Sequence, residues 1–129
     1  SNNYTVDYEY VLSKVDDSNT ILLDNRSPDE FSGLIAAGPR PGRIPNSVNL
    51  PWDVLCGGTD HIFQNIDSMK QILDSKNITP DKEIICYCQV GERSSHTFLG
   101  LKLLNYDKVK LYDHSYSEWS SIDTLPVEV

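Results

Sequence analysis

Basic residues and long apolar runs are both scarce in this chain of 129 residues. Lysine and arginine together number 11 against 19 aspartates and glutamates, which gives a formal net charge of −8. A chain this acidic is repelled by nucleic acid and by anionic membranes, so we expect neither as a partner. No apolar run approaches the roughly 20 residues that cross a bilayer, and the N-terminus lacks the basic-then-apolar pattern of a signal peptide. We therefore expect a soluble domain.

Cysteine is scarce as well. Three cysteines are an odd number and too few for a disulfide framework, so we expect reduced thiols in a cytoplasmic compartment, one of them chemically active. Cys86 and Cys88 could suggest a metal site together with His61, His96 or His114. No second close pair of cysteines accompanies them, Cys86 is expected inside a strand and His96 in a helix. We therefore expect no metal site.

Turn-forming residues divide the chain into alternating strands and helices, without internal repeats. The apolar runs Thr20–Asp24 and Glu83–Tyr87 indicate buried strands, the second of them central, and residues 47–50 and 109–112 are shorter candidates. Strands separated by helices need crossover connections, which favour parallel pairing. We expect an α/β fold with a mainly parallel central sheet of about five strands and helices on both faces.

The length predicts one domain, at residues 4–129. Residues 1–3 have no initiator Met and are interpreted as a cloning scar or a linker.

Capping signals and apolar spacing predict the helices. Asp7 precedes apolar residues at helical spacing, Ser27 and Glu30 form a capping box, and Ser115 and Glu118 form a second one. A longer helix should follow the central strand. Five apolar residues are expected on one face of that helix: Phe98, Leu99, Leu101, Leu103 and Leu104.

Cys88 lies where the central strand ends and a helix is about to begin. Ligands of open α/β sheets bind beyond the carboxyl ends of the strands. Backbone N–H groups of a tight loop, the N-terminus of the next helix and the charge of Arg93 all favour the thiolate, which is the nucleophilic form of cysteine. The alternative is a buried, inert cysteine, which does not account for Gly91 and Arg93 in the loop. We predict that Cys88 is a nucleophile.

Four segments in order resemble those of rhodanese-type thiosulfate sulfurtransferases. Residues 88–97 (CQVGERSSHT) resemble the active-site loop of members that read C-R-x-G-E-R-S. Residues 22–31 (LLDNRSPDEF) are similar to LLDVRSPEEF, residues 42–52 (GRIPNSVNLPW) to GHIPGAVNIPW, and residues 112–119 (YDHSYSEW) to YDGSWSEW. The chain departs from the family pattern at Gln89, where arginine is usual. Further departures are Arg43, His114 and Tyr116.

The resemblance implies a two-step transfer of sulfane sulfur without a cofactor. Cys88 would attack the outer sulfur of thiosulfate, expel sulfite and carry a persulfide, whose sulfur passes to cyanide or a thiol acceptor. Arg93 would bind the sulfonate end, and Asp24 with Arg26 would brace the loop from the neighbouring strand. The residues that would surround the persulfide are Gln89, Val90, Gly91, Glu92, Arg93 and Ser94.

The arginines are expected to give this acidic chain a local positive region for a dianionic substrate. They stand in or beside loops that the strand assignment places at or near one end of the sheet. The four are Arg26, Arg40, Arg43 and Arg93. The alternative for Arg26 and Arg40 is pairing with surface acids.

The same fold also occurs in proteins with two other functions. Rhodanese-like phosphatases and arsenate reductases place arginine six positions after the cysteine, whereas Arg93 is five positions after Cys88 and Ser94 takes the sixth position. The smaller ring suits a sulfur atom better than a phosphate. Non-catalytic rhodanese-like regulatory modules usually lack the cysteine, and this chain has it.

Family members with this loop are usually tandem proteins, in which an inactive N-terminal rhodanese-like half packs against a catalytic half. This chain aligns with the catalytic half from Tyr4 onward, so the resemblance implies an N-terminal rhodanese-like partner domain in a longer protein. Without that domain, Cys88 is expected to be exposed to solvent, and the isolated domain is expected to turn over slowly. The alternative is a complete single-domain sulfurtransferase.

Overall fold

The computed structural model describes residues 4–36, 38–57 and 63–129. The interpretation of residues 1–3 and the candidate ligand His61 lie outside the described residues. The elements in chain order are α1 (Tyr8–Lys14), β1 (Thr20–Asp24), α2 (Pro28–Ser32), β2 (Val48–Asn49), a 3₁₀ helix (Trp52–Leu55), α3 (Ile66–Ser75), β3 (Glu83–Tyr87), α4 (Glu92–Leu103), β4 (Val109–Leu111) and α5 (Ser115–Trp119). Among these helices, none combines the length and the apolar character needed to cross a membrane.

The strands form one parallel sheet in the order β2-β1-β3-β4. The two apolar strands predicted from the sequence, β1 and β3, pair along their whole length at the centre of the sheet. This confirms the α/β class and the central position of β3. The described residues form four strands, slightly fewer than the predicted five or so. Thr5 makes a single bridge to Leu111 and adds no further strand beside β4.

Helices cover both faces of the sheet, as predicted. Successive side chains of a strand point to opposite faces, so Ile21 and Leu23 enter one core while Leu22 enters the other. The first core is completed by α3 and α4, and the second by α1 and α5. Burying one large apolar side chain stabilises a fold by about 1.5–3 kcal/mol. Because β1 and β3 contribute such side chains to both cores, packing on the two faces holds these strands, and with them the residues at their carboxyl ends, in place.

Two of the predicted helix caps are confirmed. The carboxylate of Asp7 accepts a hydrogen bond from the backbone N–H of Tyr10 at 2.9 Å. In α2, Ser27 Oγ accepts from the Glu30 N–H at 3.2 Å, and Glu30 Oε1 accepts from the Ser27 N–H at 3.0 Å. This reciprocal pair fixes the start of α2 directly after the end of β1.

The second predicted capping box is wrong. Ser115 does not cap α5 but is its first residue, at φ 58°, and its hydroxyl accepts a hydrogen bond from the backbone N–H of Cys88. The carboxylate of Glu118 accepts instead from the hydroxyl of Tyr112 at 2.7 Å. Both side chains are used in tertiary contacts, which spacing along the chain does not reveal.

The prediction of a single apolar face on α4 is also wrong. Leu101 and Leu104 are buried in the core, whereas Leu99 and Leu103 are 53% and 54% exposed. Successive residues of a helix are about 100° apart, so five positions within residues 98–104 spread around most of the circumference. The buried face of the first turns carries the small residues Ser94 and Thr97 instead.

Candidate active site

Gly91 makes the tight turn between β3 and α4. It has φ 103° and stands at the N-cap of α4, in the left-handed region where glycine is favoured. A Cβ atom at this position would lie 2.5 Å from the carbonyl oxygen of Asp113. The absent side chain therefore lets the loop of residues 88–94, called here the 88–94 loop, pack directly against the segment before α5.

The sulfur of Cys88 lies inside this loop. The backbone N–H groups of Gly91 and Ser94 donate to Cys88 Sγ at 3.0 and 3.4 Å. The Ser94 hydroxyl lies 3.4 Å from Sγ and donates to the carbonyl of Gly91. Two amide donors directed at one sulfur, at the start of a helix, stabilise negative charge on that sulfur.

The expectation that Cys88 is solvent-exposed in the isolated domain is wrong. Cys88, Gly91 and Ser94 are all buried, and Cys88 has no exposed surface. The reason is that the loop's own backbone closes over the sulfur. The outer loop positions Val90 and Glu92 are exposed instead.

The start of α5 holds the outer side of the loop. The backbone N–H groups of Tyr116 and Ser117 donate to the carbonyls of Cys88 and Gln89, both at 2.9 Å. Ser115 Oγ accepts from the Cys88 N–H at 3.1 Å. These bonds satisfy the outward peptide groups of the loop, so its inward N–H groups point at the sulfur. Sequence reasoning missed this role of Ser115, for which the family-like segment 112–119 was the only signal.

Asp24 and Arg26, predicted to brace the loop, form a buried ion pair. Arg26 Nη2 and Asp24 Oδ2 are 2.7 Å apart, and both side chains are almost fully buried. The same guanidinium donates to the carbonyl of Gly42 at 2.7 Å, lies 4.3 Å from the ring centre of Tyr116, and approaches Gln89 Oε1 at 3.5 Å. The pair thus contacts Gln89 of the 88–94 loop and Tyr116 of α5, the helix that holds the outer side of this loop. These contacts suit a bracing role.

Arg93 is held by a carboxylate that sequence reasoning did not connect to it. Its Nη1 and Nη2 donate to Oε1 and Oε2 of Glu30 at 2.8 and 3.2 Å. The hydrogen bond from Arg93 and the one from the Ser27 N–H lower the pKa of Glu30 to about 2 against the opposing effect of burial. The capping box had already explained this glutamate, so no signal in the sequence pointed to a second contact 63 residues away.

Carboxylates offset much of the positive charge that the arginines were expected to bring to one end of the sheet. Three of the four arginines pair with carboxylates: Arg26 with Asp24, Arg43 with Glu128 and Arg93 with Glu30. The alternative for Arg40, pairing with a surface acid, is not what the structure shows. Its guanidinium donates to four backbone carbonyls at and beyond the end of α5. The guanidinium groups of these arginines are therefore largely engaged by other groups of the chain.

A surface pocket of about 250 Å³ opens beside the loop and is lined by Trp52, Glu92, Arg93 and His96. His96 lies on α4, as predicted, with its ring 5.3 Å from that of Trp52 and its Nε2 3.9 Å from Cys56 Sγ. A larger cavity, of about 640 Å³, is lined by residues of α3 and its cap and includes no loop residue. Of these two, the smaller pocket is the one that Arg93 lines.

Cys86 is buried in β3, as predicted, and burial raises the pKa of its thiol far above the ordinary value. It is therefore a core residue and not a nucleophile. Within residues 4–36, 38–57 and 63–129, no three histidine, cysteine, aspartate or glutamate side chains are grouped to hold a metal ion.

The fold and the site define a class of parallel α/β domain in which a cysteine directly follows the central strand and loop amides donate to its sulfur. A family model described as "Rhodanese-like domain" matches residues 7–122, and the chain belongs to this family.

Named relatives share this similarity along most of the chain. The thiosulfate sulfurtransferase of Pseudomonas aeruginosa is 34% identical over 121 residues, which are 94% of this chain and 44% of that protein. The sulfur carrier protein TtuD of Thermus thermophilus is 36% identical over 128 residues, 92% of this chain and 44% of that protein. A protein of Saccharopolyspora erythraea with thiosulfate sulfurtransferase in its name is 39% identical over 119 residues, 85% of this chain and 42% of that protein. The chain thus spans less than half the length of these relatives.

Solved structures share the fold. The anaerobic ergothioneine biosynthesis enzyme of Chlorobium limicola, in complex with trimethyl histidine, matches with a TM-score of 0.89 over 98% of this chain and 32% of that chain. The two sequences are 23% identical, so this likeness shows the fold alone.

Proposed function

We propose that this chain is a sulfurtransferase domain that moves sulfane sulfur from thiosulfate to cyanide or a thiol acceptor through a persulfide on Cys88. The observation that carries the proposal is the buried Cys88 sulfur with the N–H groups of Gly91 and Ser94 donating to it. The names of the relatives support thiosulfate as the donor.

The first step forms the persulfide. The Cys88 thiolate attacks the outer sulfur of thiosulfate, the bond between the two thiosulfate sulfurs breaks, and its electron pair leaves with sulfite. The new persulfide anion keeps its negative charge next to the loop amides of Gly91 and Ser94, which stabilise it as they stabilise the thiolate.

The second step returns the enzyme to its starting state. Cyanide attacks the terminal sulfur, the persulfide S–S bond breaks, and its electron pair returns to Cys88 as thiolate while thiocyanate leaves. A thiolate acceptor reacts in the same way and leaves as a persulfide. Each step moves one sulfur atom and one electron pair, so the balance needs no external oxidant or reductant.

Arg93 is proposed to bind the sulfonate end of thiosulfate. A guanidinium has five N–H donors, and Glu30 takes one on each terminal nitrogen. Arg93 also lines the pocket beside Trp52 and His96, where its remaining donors would meet the sulfonate. Asp24 and Arg26 are proposed to keep the neighbouring strand end in place behind the loop.

Two further proposals concern the setting of this domain. We propose a second, N-terminal rhodanese-like domain beside it, which is supported by relatives more than twice as long as their matched regions. Assaying this chain with and without such a domain tests the proposal, and full activity from the 129 residues alone would contradict it. We also propose a cytoplasmic location, supported by three free cysteines, which cell fractionation would test.

Steady-state thiocyanate production tests the function itself. Cys88→Ser is expected to abolish it, whereas Cys56→Ser, a partly exposed cysteine outside the 88–94 loop, is the matched control and should keep most of the activity. Thiocyanate formation by Cys88→Ser at the unaltered rate would contradict the proposal. Cys88-dependent hydrolysis of an aryl phosphate without sulfur transfer would favour the phosphatase alternative.

A further inference from the structure

We propose that Glu30 is a specificity-determining residue, whose ion pair with Arg93 lowers the preference of the site for dianionic sulfur donors over monoanionic ones. This inference rests on the proposed sulfur transfer and concerns the charge of the donor that the same site accepts.

The carboxylate of Glu30 is fixed from two sides. Both of its oxygens accept from Arg93, and Oε1 also accepts from the Ser27 N–H at the start of α2. Its side chain is only 13% exposed. The carboxylate cannot turn away from Arg93 without also losing the cap of α2, so it belongs permanently to the charge distribution around the loop.

The remaining charges near the loop do not compensate for it. Arg26 is neutralised by the buried Asp24, and Gln89 contributes no charge. Glu92 is exposed and lines the same pocket as Arg93. The loop and its supports therefore hold one more carboxylate than guanidinium, and a donor with two negative charges meets a site with no excess positive charge.

Two sulfur donors separate charge from chemistry. Thiosulfate carries two negative charges and releases sulfite, whereas benzenethiosulfonate carries one and releases benzenesulfinate. In both, the Cys88 thiolate attacks the outer sulfur, the S–S bond breaks and the leaving group departs with the electron pair. The ratio of kcat/KM for thiosulfate to kcat/KM for benzenethiosulfonate therefore reports the charge preference of the site.

Glu30→Gln removes the charge and keeps the shape. Glutamine retains a side-chain oxygen that accepts from the Ser27 N–H, as glutamine commonly does in a capping box. Asp29→Asn is the matched control, since it removes an equal charge from the adjacent, exposed position of α2. We expect Glu30→Gln to raise the donor ratio about tenfold, as a hydrogen bond to a charged group allows, and Asp29→Asn to change it less than about twofold.

Several results would overturn the inference. An unchanged donor ratio in Glu30→Gln would do so, as would an equal rise in Asp29→Asn. If Glu30→Gln does not fold, the unaltered chain gives the answer: its donor ratio should stay level or rise with ionic strength, and a steep fall would reveal an uncompensated positive site. Absence of sulfur transfer from both donors would reject the proposed function itself, whereas active transfer with an unchanged ratio rejects only the role of Glu30.

Discussion

Replacing Gly91 by alanine tests the turn that directs the loop amides at the Cys88 sulfur. The left-handed backbone at φ 103° costs an L-residue about 1–2 kcal/mol. The new Cβ would also lie 2.5 Å from the carbonyl oxygen of Asp113, so one of the two backbones must move. We expect a total loss of about 2–4 kcal/mol in the free energy of unfolding, equivalent to roughly 10 °C in Tm.

The same substitution should slow persulfide formation. The Gly91 N–H donates to Cys88 Sγ at 3.0 Å and moves with the backbone, so one of the two amide donors is weakened. Complete loss of one preorganised donor to a developing charge slows a reaction by about 10²-fold or more. Because the Gly91 N–H is displaced and not removed, we expect the rate of persulfide formation to fall by a smaller factor, about tenfold. Thermal unfolding measures the stability, and single-turnover sulfite release below the Tm of the variant measures the rate.

Gly33→Ala is the matched control for this experiment. Gly33 also has a left-handed backbone, at φ 89°, but the close contact of its new Cβ is with Val129 Cγ1, at 3.0 Å, on an exposed terminal side chain that can move, and the backbone of Gly42 lies at ordinary contact distance, 3.6 Å or more. We expect a loss of about 1 kcal/mol and unchanged sulfite release. Equal destabilisation by the two variants, with normal sulfite release from Gly91→Ala, would refute the argument.

Three further predictions follow from the charges around the loop. Asp24→Asn leaves the buried guanidinium of Arg26 without its carboxylate partner and should lower the free energy of unfolding, measured in urea, by about 3–5 kcal/mol; a loss below about 1 kcal/mol would contradict this. Glu30, whose pKa falls from 4.5 to about 2 on folding, stabilises the fold above pH 4.5 and loses this effect as the pH falls toward 2. Glu30→Gln should therefore remove about 1–2 kcal/mol of that pH dependence, and an unaltered acid profile would count against the ion pair. Arg93→Ala should raise KM for thiosulfate and lower kcat/KM by a factor equivalent to about 1.5–3 kcal/mol of transition-state binding, and an unchanged kcat/KM would exclude Arg93 as a substrate ligand.

The parts of the fold that depend on neighbouring residues in the chain could be predicted. The strands Thr20–Asp24 and Glu83–Tyr87 have the bounds that their apolar runs indicated, and the caps at Asp7 and Ser27 bind as their spacing predicted. In each case the signal and the structure involve residues a few positions apart. The position of Cys88 between a strand and a helix follows from the same local patterns.

The contacts that tune the site could not be predicted, because they join distant segments. The local spacing predicts Ser115 as a helix cap, but its hydroxyl accepts a hydrogen bond from the N–H of Cys88, 27 residues away. Glu30 reads as part of a capping box and also holds Arg93. A polar side chain can satisfy a local and a distant partner at once, so a complete local explanation does not exclude a second contact.

The burial of Cys88 has the same origin. Its sulfur is covered by the loop that follows it in the chain. That loop is held in turn by Ser115, which comes close only through the sheet topology and accepts from the Cys88 N–H. Counting charges along the sequence likewise suggested a positive region, whereas folding pairs three of the arginines with carboxylates.

The intact mass of the protein after treatment with thiosulfate tests the central claim most directly. The account predicts that the unaltered chain gains the mass of one sulfur atom, that cyanide removes it, and that peptide mapping places it on Cys88. Cys88→Ser should gain nothing under the same conditions. A sulfur adduct on Cys88→Ser, or none on the unaltered chain, would contradict the assignment of Cys88 as the residue that carries the persulfide.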